Sequence, residues 1–295
     1  MRPPAPSEEL LSPGHFACPG CGVALSMRLT LKVLGERTRM VVPASCSSII
    51  AAKYPNTAMK VPYIHTPFAV SAGFATGIAH ALRLKGDQES PVMVWAGDGA
   101  SYDIGFAGLS AAAERREPVL YICYDNEAYM NTGAQRSSAT PPCTWTPTTP
   151  SLKRERKKDL FAIMVQHGVD YAATACISHP QDMMKKIERA KAHSLKGFAF
   201  ILLLTPCPTG WGMDENLTVK AGRMAVETGV FPLLEAEGKR VRVTHRPSML
   251  GKIEGYLKLQ RRFSRMGTTE IEEFRSWVKM RWRNELVHNP EPNAQ

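Results

Sequence analysis

Short runs of apolar residues recur along the first two thirds of the chain, separated by stretches that favour helices. Four of these runs are uniformly apolar, and they cover residues 40–42, 92–96, 119–124 and 198–204. Strands that are apolar on both faces are typical of parallel sheets with helices packed against each side. The pattern therefore predicts an α/β fold built on a mainly parallel sheet flanked by helices.

The segments between and after these runs predict helices, one of which is rich in small residues, such as Gly73 and Gly77, that permit close packing. The predicted helices cover residues 21–34, 69–84, 105–115, 159–167, 180–193 and 269–283. From about Asp214 onward the alternation of strands and helices loosens. We therefore predict one α/β domain over residues 1–212 and a C-terminal extension over residues 213–295.

Charge and hydropathy exclude two classes of partner. The chain has 295 residues and a formal net charge of +10, and its basic side chains are concentrated near the C-terminus. No zinc-finger or RNA-binding signature accompanies them, so we favour a docking or solvated surface over nucleic-acid binding. The sequence has no run of about 18 apolar residues that would span a membrane and no signal-peptide core near residue 1. We expect a cytoplasmic protein.

Two loops that follow predicted strands carry oxygen ligands. Asp98 lies between Gly97 and Gly99, which permit a tight turn and a close approach of backbone amides to phosphate oxygens. Asn126 follows the next predicted strand, so it and Asp98 are expected at one edge of the sheet. Mg²⁺ prefers oxygen ligands combined with substrate phosphates. Asp98, Asn126 and the carbonyl of Ala128 could supply the protein ligands, although a lone Gly-Asp-Gly often marks only a turn.

Seven cysteines, an odd number, argue for reduced thiols rather than a disulfide framework. Cys18 and Cys21 form a Cys-x-x-Cys loop, and Cys46 and Cys207 follow predicted strands. Four thiolates suffice for a [4Fe–4S] cluster, but the spacing also allows a four-cysteine zinc site or a redox pair in the Cys-x-x-Cys loop. Cys143, in a polar loop, is either a reactive or an incidental thiol.

Taken together, these motifs resemble those of the β subunits of 2-oxoacid:ferredoxin oxidoreductases, particularly the pyruvate type (pyruvate synthase). The resemblance covers about residues 13–212 and includes residues 126–133, 135–141 and 206–211 as well as the cysteines and the Gly-Asp-Gly turn. It implies a thiamine-diphosphate-binding fold. It also implies an enzyme subunit that oxidatively and reversibly decarboxylates a 2-oxoacid, with coenzyme A as co-substrate and ferredoxin as electron acceptor.

The resemblance assigns roles to individual residues. Cys18, Cys21, Cys46 and Cys207 would ligate a [4Fe–4S] cluster, while Asp98, Asn126 and the Ala128 carbonyl would hold Mg²⁺. Thiamine diphosphate would contact a set of eight residues, of which Asn131 would lie near the reactive thiazolium. These eight are Cys46, Gly97, Asp98, Gly99, Ala100, Asn126, Ala128 and Asn131.

The resemblance also implies partner chains of the α, γ and δ type, or fused equivalents, since the glutamate that activates thiamine is expected from an α subunit. Pyruvate is the expected substrate. However, Pro142-Cys143-Thr144-Trp145 replaces the Tyr-Gly-Ala-Trp usual in pyruvate-type relatives, which leaves oxalate or arylglyoxylates open. Three other interpretations are a thiamine-dependent decarboxylase or ligase subunit with zinc or no metal at its cysteines, a non-catalytic scaffold, and a basic nucleic-acid-binding protein.

Overall fold

A computed structural model of the chain describes residues 8–52 and 55–288. The strands in this part of the chain are β1 Arg39–Pro43, β2 Tyr63–Thr66, β3 Val92–Gly97, β4 Val119–Asp125, β5 Tyr171–Cys176, β6 Phe198–Leu204, β7 Leu233–Glu237 and β8 Arg240–His245. All eight form one sheet in the spatial order β2-β1-β3-β4-β6-β5-β7-β8. β1 to β6 pair in parallel, and only the β5–β7 and β7–β8 pairs are antiparallel. The predicted α/β fold with a mainly parallel sheet is confirmed.

Helices cover both faces of the sheet. They are α1 Gly22–Leu34, α2 Cys46–Ile50, α3 Ser71–Leu84, α4 Phe106–Glu114, α5 Leu160–Gln166, α6 Pro180–Ser194, α7 Pro208–Trp211, α8 Thr218–Glu227, α9 Glu254–Lys258 and α10 Thr268–His288. All six predicted helices are present, with ends that differ by a few residues. In the described ranges, no helix combines the length and apolar character needed to cross a bilayer.

Alternate residues of the central strands point to opposite sides of the sheet and so build two apolar layers. On β3, for example, Val94 and Ala96 belong to one layer, whereas Met93 and Trp95 belong to the other. The first layer receives side chains from α3, α4, α5, α8 and α10, and the second from α1 and α6. Both faces of the central strands are therefore buried, as their uniformly apolar sequences predicted.

The expectation that regular structure loosens after Asp214 was wrong. α8, β7 and β8 follow the predicted domain boundary at residue 212, and the two strands extend the same sheet. β5, which was also missed, consists mainly of small residues in the sequence Tyr-Ala-Ala-Thr-Ala-Cys, yet every one of its residues is buried. Alanine is depleted in strands generally, so burial between neighbouring strands decided the conformation there.

The C-terminal segment packs against the domain rather than standing apart from it. Phe274, Trp277, Val278 and Trp282 of α10 are buried in the first apolar layer. The indole of Trp282 donates a hydrogen bond to the carbonyl oxygen of Gly229 at 2.8 Å. Large aromatic side chains dominate the energy of such contacts. Residues beyond 212 therefore contribute to the hydrophobic core.

One basic residue of this segment, Arg262, is buried in an ion-pair network. Its guanidinium donates to Glu127 Oε2 at 2.7 Å and stacks 3.8 Å from the centre of the Trp211 ring. Lys157 reaches the other oxygen of Glu127 at 2.9 Å and also Asp125 at 2.6 Å. The side chains of Arg262 and Glu127 are only 4% and 3% exposed. The pair therefore interacts with little solvent screening.

We expect Arg262→Ala to lower the free energy of unfolding by about 3 kcal/mol, because removing one partner of a buried pair leaves an uncompensated charge. This value is at the low end of the usual range because Lys157 still faces Glu127. The exposed neighbour Arg261 is the matched control, and Arg261→Ala should change stability by less than about 0.5 kcal/mol. Urea denaturation of both variants measures the difference, and equal losses would contradict the importance of this pair.

Candidate functional site

The first loop of the site follows β3. Asp98 comes directly after the strand, and the chain then turns through a short π-helix, Gly99–Asp103. Gly99 lies so close to the ring of Tyr129 that a Cβ atom would be 2.2 Å from Tyr129 Cε1. A side chain larger than hydrogen is therefore excluded at Gly99 by packing, since glycine alone allows such an approach.

The second loop follows β4, the neighbour of β3 in the sheet. It contains Asn126, Glu127 and Ala128, and Glu127 has a positive φ of 69°. That conformation is unfavourable for a residue with a side chain, so surrounding contacts must hold it. The Glu127 amide donates to Asp125 Oδ1 at 3.0 Å, while the Trp211 indole donates to the Asn126 carbonyl at 2.8 Å. Together with the Arg262 ion pair, these bonds fix the turn.

Three side-chain and backbone groups of these loops converge. One terminal atom of the Asn126 amide lies 3.0 Å from Asp98 Oδ1 and 2.9 Å from the carbonyl oxygen of Ala128. If that atom is the amide nitrogen, both contacts are hydrogen bonds. If it is the amide oxygen, it forms a group of three oxygens with Asp98 Oδ1 and the Ala128 carbonyl oxygen. Without a cation the nitrogen orientation satisfies both contacts, whereas a bound cation would require the oxygen orientation. Octahedral Mg²⁺, with oxygens at about 2.1 Å, separates adjacent ligands by about 3.0 Å. The donor set and its spacing therefore fit Mg²⁺.

Asp98 is a strongly perturbed carboxylate. It is 2% exposed, and its pKa is raised well above the usual range, first by burial and then by the negative charge of Asp125. The hydroxyl of Ser137 donates to Asp98 Oδ2 at 2.5 Å and opposes that shift. A nearby cation would favour the ionised carboxylate. The electrostatics of the site thus agree with the geometry of its oxygens.

A cavity of about 130 Å³ opens beside these oxygens. Its lining includes all eight residues that the sequence assigned to thiamine diphosphate, namely Cys46, Gly97, Asp98, Gly99, Ala100, Asn126, Ala128 and Asn131. Phe68 and Met130 also line it, and neither was predicted because an apolar residue in a loop carries no distinct signal. Ser137 was missed as a contact of Asp98, although it belongs to one of the segments that carried the resemblance. The structure brings the predicted set together; the individual roles stay predictions.

The four predicted cluster cysteines come from three separate parts of the chain. Cys21 precedes α1, Cys46 begins α2 after β1, and Cys207 precedes α7 after β6. The Gly210 amide donates to the Cys207 sulfur at 3.3 Å, and burial raises the pKa of Cys21 while the nearby amides of Ala24 and Val23 lower it. Cys18 completes a turn in which the Cys21 amide donates to its carbonyl at 3.1 Å. Backbone donors to sulfur stabilise thiolates.

The charges of these four sulfurs act on one another. Burial, followed by the negative charges of Cys207, Cys21 and Cys18, raises the pKa of Cys46 to about 12. Burial likewise raises the pKa of Cys207 to about 11. Four thiolates coexist in such an environment only when a cationic centre balances them, and metal binding releases the thiol protons. The set therefore fits a metal centre better than a group of free thiols.

The four sulfurs are spaced more widely than a single zinc ion requires. Among the described residues, no three of these cysteine sulfurs lie within 4.8 Å of one another. A tetrahedral zinc ion with Zn–S bonds of about 2.3 Å would bring them to about 3.8 Å. In a four-iron cluster each sulfur binds a different iron, so the sulfurs can stand farther apart. Binding of a single zinc ion would therefore require the sulfurs to move closer together.

Cys46 connects the two sites because it lines both the cofactor cavity and a second cavity with Cys18 and Cys207. The remaining cysteines lie elsewhere. Cys123 and Cys176 are buried in β4 and β5. Cys143 is 3% exposed and interacts with Glu273 of α10, and burial raises its pKa to about 12. A thiol with that pKa is a poor nucleophile, so the reactive role considered for Cys143 has no support.

Comparison with known proteins identifies the family. Residues 43–202 match the family described as "Thiamine pyrophosphate enzyme, C-terminal TPP binding domain". The pyruvate synthase subunit PorB of Methanothermobacter marburgensis is 46% identical over 278 residues, which cover 92% of this chain and 96% of PorB. The ketoisovalerate oxidoreductase subunit VorB of Pyrococcus abyssi is 42% identical over 289 residues, which cover 94% of this chain and 92% of VorB.

A solved structure agrees with these relatives. It is a 2-oxoglutarate:ferredoxin oxidoreductase from Magnetococcus marinus with 2-oxoglutarate, coenzyme A and succinyl-CoA bound. It superposes with a TM-score of 0.60 at 26% identity, covering 71% of this chain and 70% of that chain. The chain is therefore an oxidoreductase subunit and belongs to the family of β subunits of 2-oxoacid:ferredoxin oxidoreductases, as its motifs predicted.

Proposed function

We propose that the chain holds thiamine diphosphate through Mg²⁺ and a [4Fe–4S] cluster side by side, for the reversible oxidative decarboxylation of a 2-oxoacid to acyl-CoA. Asp98, Asn126 and the Ala128 carbonyl would hold Mg²⁺, and the cysteines 18, 21, 46 and 207 would hold the cluster. The observation that carries this proposal is that Cys46 lines both cavities. A cofactor and a cluster that share one wall are close enough for single electrons to pass between them.

Thiamine diphosphate would supply the carbon nucleophile that removes CO₂ from the oxoacid, and the cluster would accept electrons singly for delivery to ferredoxin. The residues of the chain bind and orient these groups. Gly97 and Gly99 allow backbone amides to approach the diphosphate, and Phe68 and Met130 exclude water from one side of the cavity. Asn131 would lie beside the reactive ring, since it lines both cavities.

We propose pyruvate as the substrate. Among the described residues that line the cofactor cavity, none is Lys, Arg or His, so a second substrate carboxylate would meet no cation of this chain in that cavity. Arg261, Arg262 and Arg265 line the second cavity instead. Pro142, Cys143 and Thr144, which depart from the pyruvate-type pattern, are also absent from that lining. Cys143 instead faces Glu273 of α10. The residues that depart from the pyruvate-type pattern therefore affect packing at the C-terminal helix and not the lining of the cofactor cavity. Their position supports a small, singly charged oxoacid over oxalate.

We further propose that α-, γ- and δ-type chains complete the enzyme. Among the described residues that line the cofactor cavity there is no glutamate, which supports its supply by an α subunit. The basic C-terminal segment remains our candidate for docking through its exposed face, since its aromatic face is turned into the core. The cytoplasm is the expected compartment because it keeps the seven free thiols reduced.

The cluster assignment is tested by Cys46→Ser, with Cys143→Ser as the matched control. In the assembled complex we expect Cys46→Ser to lose about four irons per β chain and with them the oxoacid-dependent reduction of ferredoxin. Thiamine diphosphate should still bind because its oxygen ligands are unchanged, but with lower affinity, since Cys46 also lines its cavity. Cys143→Ser should keep iron and activity, since a hydroxyl can retain the contact with Glu273. Iron analysis and electron paramagnetic resonance measure the result, and a full complement of iron in Cys46→Ser would refute the assignment.

Asp98→Asn tests the magnesium site because it should raise the stability of the ligand-free chain and lower its affinity for thiamine diphosphate with Mg²⁺. Without ligands, the substitution removes a buried charge and provides an amide donor to its oxygen neighbours, so the chain should become more stable by about 1 kcal/mol. Affinity for thiamine diphosphate with Mg²⁺ should fall at least about 100-fold, because loss of a metal ligand exceeds the effect of outer-sphere changes. The exposed Asp214→Asn is the control for both measurements. Calorimetric titration measures the affinity, and thermal unfolding measures the stability. Lower stability with unchanged affinity would mean that Asp98 has a purely structural role.

Substrate choice is tested with a panel of pyruvate, 2-oxoisovalerate, 2-oxoglutarate and oxalate. We expect kcat/KM for pyruvate to exceed that for the two dicarboxylates by at least about 10-fold, because a buried carboxylate without a cation is costly. Dye reduction by the assembled complex provides the measurement. A preference for 2-oxoisovalerate would overturn pyruvate while leaving the cofactor assignments intact.

A further inference from the structure

Two histidines and a glutamate meet at the antiparallel side of the sheet, at positions that the proposed function does not use. His179 immediately precedes α6, Glu227 ends α8, and His245 ends the edge strand β8. One ligand atom of each lies within 4.8 Å of the others. The three residues come from segments that are distant in the chain, so the fold itself assembles them.

The distances within this triad fit a small metal ion. His245 Nε2 is 2.9 Å and His179 Nε2 is 3.9 Å from the same atom, Glu227 Oε1. A tetrahedral zinc ion with bonds of about 2.0–2.1 Å separates its ligands by about 3.4 Å, which lies between these values. Shifts of about half an ångström would therefore bring both histidine–glutamate distances to the zinc value, and all three ligand atoms already lie within 4.8 Å of one another.

Hydrogen bonds to the atoms that face away from the other ligands orient two of the three residues, His179 and Glu227. Ser178 Oγ lies 2.9 Å from His179 Nδ1, which leaves Nε2 directed at Glu227. Ser248 donates its amide at 3.1 Å and its hydroxyl at 2.7 Å to Glu227 Oε2, the oxygen turned away from the histidines. Metal-binding histidines and carboxylates in proteins are usually held by such outer contacts.

We propose that His179, Glu227 and His245 form a zinc-binding site. Two imidazoles and one carboxylate are a ligand set that zinc accepts, with water in the fourth position. The side chains are 19%, 18% and 34% exposed, so water can reach the ion. Bound zinc ties the edge strand β8 to α8 and to the turn before α6. That contact fastens the two antiparallel strands that extend the sheet.

The alternative is an ordinary ion pair, and the chain contains a matched example. His80 Nε2 lies 2.7 Å from Glu117 Oε2, but no third histidine, cysteine or carboxylate ligand joins that pair among the described residues. His80→Ala therefore removes a histidine–carboxylate contact without removing a proposed ligand. Glu227→Gln keeps the shape of the triad while removing its negative charge, and His245→Ala removes one imidazole.

The experiment titrates ZnCl₂ into the assembled complex with its iron–sulfur centres intact. Competition with a chromogenic chelator gives the affinity, and thermal unfolding of each variant with and without zinc gives the stabilisation. We expect one zinc per chain, a higher Tm with zinc, and an affinity at least about 100-fold lower in Glu227→Gln and His245→Ala. Ser178→Ala should weaken binding about 10–100-fold, as outer-shell changes do. His80→Ala should match the wild type.

Cobalt distinguishes this site from the cysteines. Co²⁺ bound to the triad should give visible bands without thiolate charge-transfer absorption, whereas binding at cysteine would give that absorption. Because every variant is compared with itself in the absence of metal, a loss of intrinsic stability does not obscure the result. The proposal is overturned by equal zinc affinity in wild type and Glu227→Gln, by thiolate bands alone, or by no zinc binding in the wild type.

Discussion

The strand order β1-β3-β4-β6 is the constraint on which both sites depend. Parallel strands end at the same edge of a sheet, so the segments that follow these four neighbours lie side by side. They carry Cys46, Asp98, Asn126 and Cys207 in that spatial order. The Cys-x-x-Cys loop joins them because α1 begins against Pro206, where a Cβ on Gly22 would be 2.6 Å from the Pro206 carbonyl oxygen. Residues almost two hundred positions apart in sequence thus become neighbours through strand pairing and one close helix contact.

The turn between the proposed magnesium ligands Asn126 and Ala128 is stabilised by the C-terminal segment. Glu127 has a left-handed backbone conformation, and its carboxylate is held by Lys157 on one side and Arg262 on the other. Arg262 also stacks on Trp211, whose indole holds the Asn126 carbonyl. The last third of the chain therefore contributes directly to the geometry of the site. A basic residue that looked like part of a solvated surface in the sequence is, in this case, an internal counter-ion.

The sequence predicted the central sheet, and it singled out eight residues that line one cavity, because the signals of both are local. A uniformly apolar strand followed by glycine and aspartate is recognisable without knowledge of its neighbours, as the β3 segment illustrates. β5 was missed because its alanines have little strand preference, and only its neighbours β6 and β7 make it a strand. The burial of Arg262 was equally invisible, since its partner Glu127 is 135 positions away. The His179, Glu227 and His245 triad has no spacing signal for the same reason.

The charges of the site predict that folding and the binding of the proposed cofactors are coupled in this chain. Without ligands, Asp98 is a buried carboxylate next to other oxygens, and Cys46 and Cys207 are buried thiols that resist ionisation. Each group is unfavourable alone and becomes favourable when a cation binds, so ligands add stability that grows with the logarithm of their concentration relative to Kd. Cys46 belongs to both cavities, and Trp211 joins the Cys207 segment to Asn126. Occupation of one site therefore orders a wall of the other, and binding at the two sites should be cooperative.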